Sequence, residues 1–156
     1  MVADASIQTP RAAEAAICVG ASQIWGDHSA ALSALRAMMP AGGRVVYGDA
    51  VWTQDPTAGA LEALDAAPCD YGTLADLVDI AVYWGFHPLQ IGQATMEEWD
   101  AFESGYSWGF ERWLMSHPDD HSHAANVRNM AADHRTKWLR GYRGILGFGY
   151  LALIAH

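Results

Sequence analysis

Apolar residues alternate between short unbroken runs and helical stripes, and the pattern is sharpest between Ala15 and Trp52. Ala15-Ala16-Ile17-Cys18-Val19 is an apolar run with little alternation, stopped by Gly20-Ala21-Ser22. A run of this kind predicts a strand covered on both faces, as in a parallel sheet. Asp27 stands where a helix N-cap would, ahead of Ala30, Ala31, Leu32, Leu35, Met38 and Met39 at helical spacing. Pro40-Ala41-Gly42-Gly43 ends that helix, and Arg44-Val45-Val46-Tyr47-Gly48-Asp49 is a second strand. Strand, turn, helix, turn, strand with short connections is a βαβ crossover, so the two strands should be parallel.

Downstream, Leu61, Leu64 and neighbouring alanines give a weak stripe after Pro56, broken at Pro68 to Gly72. Thr73 caps a stronger helix through Leu74, Leu77, Val78, Ile80, Ala81 and Trp84, which Gly85 closes. Pro88 to Ala94 reads as a short strand. Thr95 and Glu98 have the spacing of a capping box. The helix they start should reach Met115 and carries Trp99, Phe102, Tyr106, Phe110, Trp113 and Leu114 as an aromatic stripe. Such a stripe is expected in a core; the alternative is an aromatic lid over a binding site. Another helix should reach Leu139, and Ile145 to Ala155 is a final apolar strand in which Gly147 and Gly149 allow close packing.

A chain of 156 residues, half of them hydrophobic and 17% charged, is a globular domain rather than a disordered segment. Its formal charge of −9 argues against a nucleic-acid partner, because phosphates demand a basic face. Cys18 in a strand and Cys69 in a loop imply no disulfide framework, and a reducing cytoplasm is the expected compartment. No membrane span or signal-peptide profile is read in the sequence. His117-Pro118-Asp119-Asp120-His121-Ser122-His123 invites a metal-site reading. However, Pro118-Asp119-Asp120 has turn chemistry, and His121 and His123 point to different sides of a helix, so no metal is expected.

"AAICVGAS" followed by a helix and "LRAMMPAGGRVVYGDAVW" resembles the later half of the class I S-adenosylmethionine-dependent methyltransferases. Trp99-Asp100-x-Phe102-Glu103, "WLMSHPDD" and "GYRGILGFGYLALIA" look like a bacterial subfamily acting on small molecules. The resemblance implies an α/β Rossmann-like sheet. In it the Ile17 strand lies beside the Val46 strand, and the C-terminal strand runs antiparallel between the Val46 and Ile91 strands. Residues 53–85 and 95–140 would form a helical substrate cover. It implies S-adenosylmethionine as cofactor and a small-molecule methyl acceptor, with no metal.

By this resemblance Asp4-Ala5 meets the adenine amino group, and Gly20, Ala21, Ser22 and Ile24 continue the cofactor site. Asp49 near the transferring methyl is the catalytic candidate, with Trp25, Trp52, Tyr106 and Trp113 towards the substrate. The residues alone leave other readings open: a solvated Asp4, a tight turn at Gly20-Ala21-Ser22, packing for Trp25 and a turn-forming role for Asp49. The family's Gly-rich cofactor turn and ribose-binding acid have no counterpart, for no Gly-x-Gly-x-x-Gly occurs. The expectation is therefore one methyltransferase domain over residues 1–156 that lacks the first strands of its sheet. The rival expectation is a non-catalytic fragment or interaction subunit. The Ile17 strand would then be an apolar edge open to self-association or to a complementing N-terminal half.

Overall fold

A computed structural model describes residues 13–156; Asp4 and Ala5 lie outside the described residues. In chain order the elements are β1 (Ala15–Val19), α1 (His28–Met38), β2 (Arg44–Trp52), α2 (Ala58–Leu64), α3 (Leu74–Tyr83), β3 (Phe86–Gln93), α4 (Met96–Ser116), α5 (His121–Thr136) and β4 (Leu146–Ala155). A 3-10 turn spans Ser22–Ile24 and a π-helical segment spans Lys137–Tyr142. The described chain forms two compact units. One holds the residues up to Trp52 with Cys69–Gln93 and Phe148–His156, and the other holds Thr53–Pro68 and Ala94–Gly147.

The first unit is built on a four-stranded sheet in the order β1-β2-β4-β3. β1 and β2 pair in parallel with Ile17 opposite Val46, and β3 and β4 pair antiparallel. The crossover expected from the sequence is thus present. Asp27 caps α1, its side chain accepting from the Ala30 amide at 2.7 Å, and Gly42 takes the left-handed conformation that the Pro-Ala-Gly-Gly turn requires. α3 opens with a reciprocal capping box between Thr73 and Asp76. Leu32 and Leu35 of α1 and Leu77 and Ala81 of α3 are buried in one cluster with Val45, Tyr47, Val51, Leu151 and Leu153 of the sheet. Each large side chain so buried contributes about 1.5–3 kcal/mol. The stretch 53–85 does not stay together as one cover segment: α3 packs in the core of the sheet unit, while α2 belongs to the other unit.

Three expectations need correction. β1 is not covered on both faces: Cys18 is buried, but Ile17 on the opposite face is 80% exposed. Val19, Val46 and Tyr150 are exposed as well. A Cβ built on Gly48 would meet the side chains of Phe148 and Tyr150, which places those two on the Ile17–Val46 face. An apolar run therefore mistook a one-sided edge strand for a two-sided one. β3 begins at Phe86, before Pro88, and an irregularity in register between Pro88 and Gln90 accommodates the proline on this edge strand. The third correction concerns the aromatic stripe.

In the second unit, Thr95 and Glu98 form the capping box of α4. Phe102 and Tyr106 are more than half exposed, and the fully buried position of α4 is Glu103. The stripe is not a core because the α4–α5 contact closes on a polar cluster. The Glu103 carboxylate accepts from the Tyr142 hydroxyl at 3.0 Å and lies 2.9 Å from Nε2 of His134. Tyr106 stacks on the His134 ring. Burial, and next the Glu103 charge, push the Tyr142 hydroxyl well above its usual range. The Arg143 guanidinium makes two bonds to Asp100, at 2.9 and 2.6 Å. Among the described residues no helix is long and apolar enough to cross a membrane.

The β2–β4 packing yields a stability prediction. A Cβ at Gly48 would stand 2.8 Å from Phe148 Cε1 and 3.2 Å from the Gly149 carbonyl oxygen. The ring can swing away, but the backbone oxygen cannot without distorting the strand pair. Gly48→Ala should therefore cost about 1–3 kcal/mol in urea denaturation. An unchanged midpoint would show that the two strands are not packed at this spacing.

Candidate functional site

The C-terminal ends of parallel β1 and β2 lie at one edge of the sheet, where open α/β sheets place ligands. The Gly20 amide donates to the Gly48 carbonyl at 2.8 Å, a last rung beyond β1. Gly20 has φ +61° and open space beside its Cα, so the chain can turn sharply there without a side chain in the way. The 3-10 turn at Ser22–Ile24 follows.

That turn is tied to β2 by one carboxylate. The Ser22 amide donates to Oδ2 of Asp49 at 3.1 Å, and the Ala50 amide donates to Oδ1 at 2.8 Å. Asp49 is 7% exposed, so both bonds act in a largely desolvated setting. Tyr47, two residues earlier and on the same face of β2, is buried outright. Burial, with Asp49 as the next cause, raises its hydroxyl far above the usual phenol range, so Tyr47 keeps its proton. That hydroxyl lies 3.1 Å from Nδ1 of His28. Burial and then Asp49 also push up the Cys18 thiol and the Tyr71 hydroxyl.

A cavity of about 620 Å³ opens beside these groups, lined by Ser22, Gln23, Gly26 and Asp27, by His28, Asp49 and Ala50, and by Cys69 to Tyr71. That volume lies in the range of small-molecule sites. Of the residues singled out in the sequence, the structure brings Ser22 and Asp49 into contact, with Gly20 alongside. Ala21 and Trp25 pack against the hydrophobic core, while Ile24 is exposed on the turn. Trp52 stands edge-on to Tyr71, ring centroids 5.1 Å apart. Tyr106 and Trp113 lie on α4 in the second unit, stacked on His134 and His117 respectively.

His28, Tyr47 and Tyr71 escaped the sequence reading. Tyr47 carried a usable signal, since a residue two before Asp49 on a strand shares its face. His28 follows the cap of α1 directly and was equally legible as a helix N-terminal residue.

The histidine-rich stretch serves local structure. Asp120 caps α5, accepting from the His123 amide at 3.2 Å, and its oxygens also bind the Ser122 hydroxyl and the His123 ring. His117 stacks on Trp113 and bonds to Ser116. Among the described residues no group of three or more histidine, cysteine, aspartate or glutamate side chains is arranged to hold a metal ion. The Ser122 bond, then those from His123, hold the Asp120 carboxyl down at about 2, below its ordinary 3.8. With the folded value depressed, the stabilising effect of this cap is present above the unfolded value and fades as pH falls through about 2. Carboxyl-carbon NMR should place the Asp120 midpoint near 2 in the folded chain. A midpoint at the ordinary value would mean that the cap does not form.

No protein-family model matches the chain. It is 31% identical over 144 residues to the uncharacterized protein YjhP of Escherichia coli strain K12, covering 91% of this chain and 58% of YjhP. An S-adenosylmethionine-dependent methyltransferase from Geobacter sulfurreducens, solved with S-adenosyl-L-homocysteine, superposes with a TM-score of 0.85 at 26% identity. One from Thiobacillus denitrificans, in complex with the same molecule, gives 0.82 at 26% identity. Each match covers 100% of this chain and 64% of the other. The crystal structure of YjhP gives 0.83 at 29% identity, over 99% of this chain and 64% of that one. The chain thus spans less than two thirds of the length of these relatives. Its α/β sheet is that of the class I, Rossmann-like methyltransferase fold.

Proposed function

We propose that this chain takes part in transfer of a methyl group from S-adenosylmethionine to a small-molecule acceptor, with the cavity at the β1 and β2 ends as the reaction site. The observation that carries the reading is the Ser22–Asp49 bond, which sets a buried carboxylate beside the strand-end turn in a chain of this fold. The residues present fit the later side of such a cofactor. Gly20 leaves backbone open to close approach, Ile24 offers an exposed apolar surface, and the cavity has the volume and the carboxylates for a sulfonium-bearing molecule. When bound, the cofactor supplies an already activated methyl group.

The chain's own part is alignment. Asp49, its two oxygens steered by the Ser22 and Ala50 amides, presents a fixed acceptor that can orient a polar group and take up a proton at a carboxylate oxygen. Tyr71 and the Ser22 turn form part of the cavity wall. Trp25 and Trp52 remain proposed acceptor contacts, and the reducing cytoplasm remains the proposed setting.

The described residues supply the later side of such a grip. Binding that lacks four further hydrogen bonds at about 1 kcal/mol each is weaker on the order of a thousandfold. Calorimetric titration of the 156-residue chain with S-adenosylmethionine should give an affinity in about the millimolar range. Supplying the longer relatives' additional portion as a fused segment should strengthen it. With labelled donor and a panel of acceptors, Asp49→Asn should lower turnover about a hundredfold. Wild-type turnover in that variant would remove Asp49 from the reaction, and absence of donor binding by both forms would end the methyl-transfer reading.

One observation favours a second reading, in which the chain works as a subunit. β1 is an edge strand, and the adjoining face exposes Ile17, Val19, Val46 and Tyr150. An apolar edge and face of this kind favour pairing with a second copy or a complementing polypeptide. Light scattering should then find oligomers that dissociate on Ile17→Lys. A monodisperse wild-type monomer would exclude self-association.

A further inference from the structure

The π-helical segment Lys137–Tyr142 meets two requirements that an α-helix in its place could not. Its wide turn is closed by the Arg143 amide, which donates to the Trp138 carbonyl five positions back at 2.9 Å. His134 and Tyr142 bond to the two oxygens of one carboxylate, Glu103, at 2.9 and 3.0 Å. They therefore face the same side of the chain. In a regular α-helix each residue turns the chain by about 100°, so position 141, seven after His134, would return to that side. Position 142 would point about 80° away from it. The wide turn takes up one residue, which brings Tyr142 onto the Glu103 side and moves Gly141 off it.

The second requirement comes from α2. Gly141 lies against that helix, where an added Cβ would overlap the Cβ of Ala63 and stand 3.4 Å from the Gly59 carbonyl oxygen. No side chain fits in that slot. In the α register the slot would pass to Arg140, one position earlier, and α2 could not stay docked.

We propose that this segment is a two-register latch: the Glu103–Tyr142 bond holds the π register, and the π register holds α2 against Gly141. The two contacts lie on different faces of the segment yet need the same register, so each stabilises the other. Glu103 and Tyr142 are both buried, so little water is at hand to replace their bond once it breaks. When Tyr142 leaves Glu103, the turn relaxes to the commoner α register and α2 is released. When α2 is displaced, Tyr142 leaves Glu103. The latch lies wholly within the second unit and stands apart from the methyl-transfer reading.

In the full chain the register is read directly by the NMR scalar coupling across the hydrogen bond of the Arg143 amide. In the wild type its nitrogen should couple to the Trp138 carbonyl carbon. In Tyr142→Phe the coupling should pass to the Leu139 carbonyl, four positions back. The amides of α2 should then exchange with solvent at least about tenfold faster. His134→Gln changes the other partner of Glu103 and spares the Tyr142 hydroxyl, so it should keep the Trp138 coupling. Gly141→Ala approaches the latch from the α2 side. Burial, and next the Glu103 charge, hold the Tyr142 hydroxyl above its usual range. In Gly141→Ala that hydroxyl should titrate nearer the ordinary phenol value, read from the Tyr142 Cζ resonance. Retention of the Trp138 coupling in Tyr142→Phe, its equal loss in His134→Gln, or unchanged exchange in α2 would overturn the proposal. So would a Tyr142 hydroxyl that titrates in Gly141→Ala as it does in the wild type, and this measurement decides alone if Tyr142→Phe does not fold.

Discussion

The arrangement of the site depends on one hydrogen bond, from the Ser22 amide to the Asp49 carboxylate across 27 positions of sequence. It ties the turn leaving β1 to the end of β2, so the strand-end groups stay on one side of a single cavity. Without it the turn would keep the Gly20–Gly48 rung to β2. A buried carboxylate that accepts two backbone amides is costly to remove, because each amide would lose its partner in a desolvated place. The same group that orders the turn also lines the cavity.

Around that bond the first unit divides its two faces sharply. One face is closed by α1 and α3 over Cys18, Val45, Tyr47, Leu151 and Leu153. The other exposes Ile17 and Val46, paired neighbours in register. Two polar contacts lie on the closed face, Ser22 with Asp49 and Tyr47 with His28. Desolvation there raises the Tyr47 and Cys18 groups, so they stay protonated beside the carboxylate and add no further negative charge.

The second unit solves a different problem by similar means. The aromatic-rich α4 meets α5 and the segment after it at Glu103, His134 and Tyr142 rather than at a hydrocarbon seam. Removing one member of such a buried cluster would strand the others, which makes the cluster a determinant of how α4 and α5 pair. The aromatic rings, relieved of core duty, stack on histidines or remain exposed.

Local chemistry was legible in the sequence wherever neighbouring residues act on one another. The caps at Asp27, Thr73 and Thr95 lie where their spacing predicted, because a capping side chain needs only the amides of its own first turn. The parallel β1–β2 pair followed from a short crossover, and Ser22 and Asp49 were legible as strand-end residues of one edge. Tertiary structure decided what patterns of apolarity cannot. A run such as Ala15–Val19 has the same composition whether one face or two are covered, and the packing of α1 and α3 on the Cys18 face alone left Ile17 in the open. The α4 stripe has helical period whether it meets hydrocarbon or a buried carboxylate. Likewise the bond from Tyr47 to His28, 19 positions apart, arises only when α1 lies against β2 and brings the two rings together. Burial and long-range partners are properties of packing, which no local window contains.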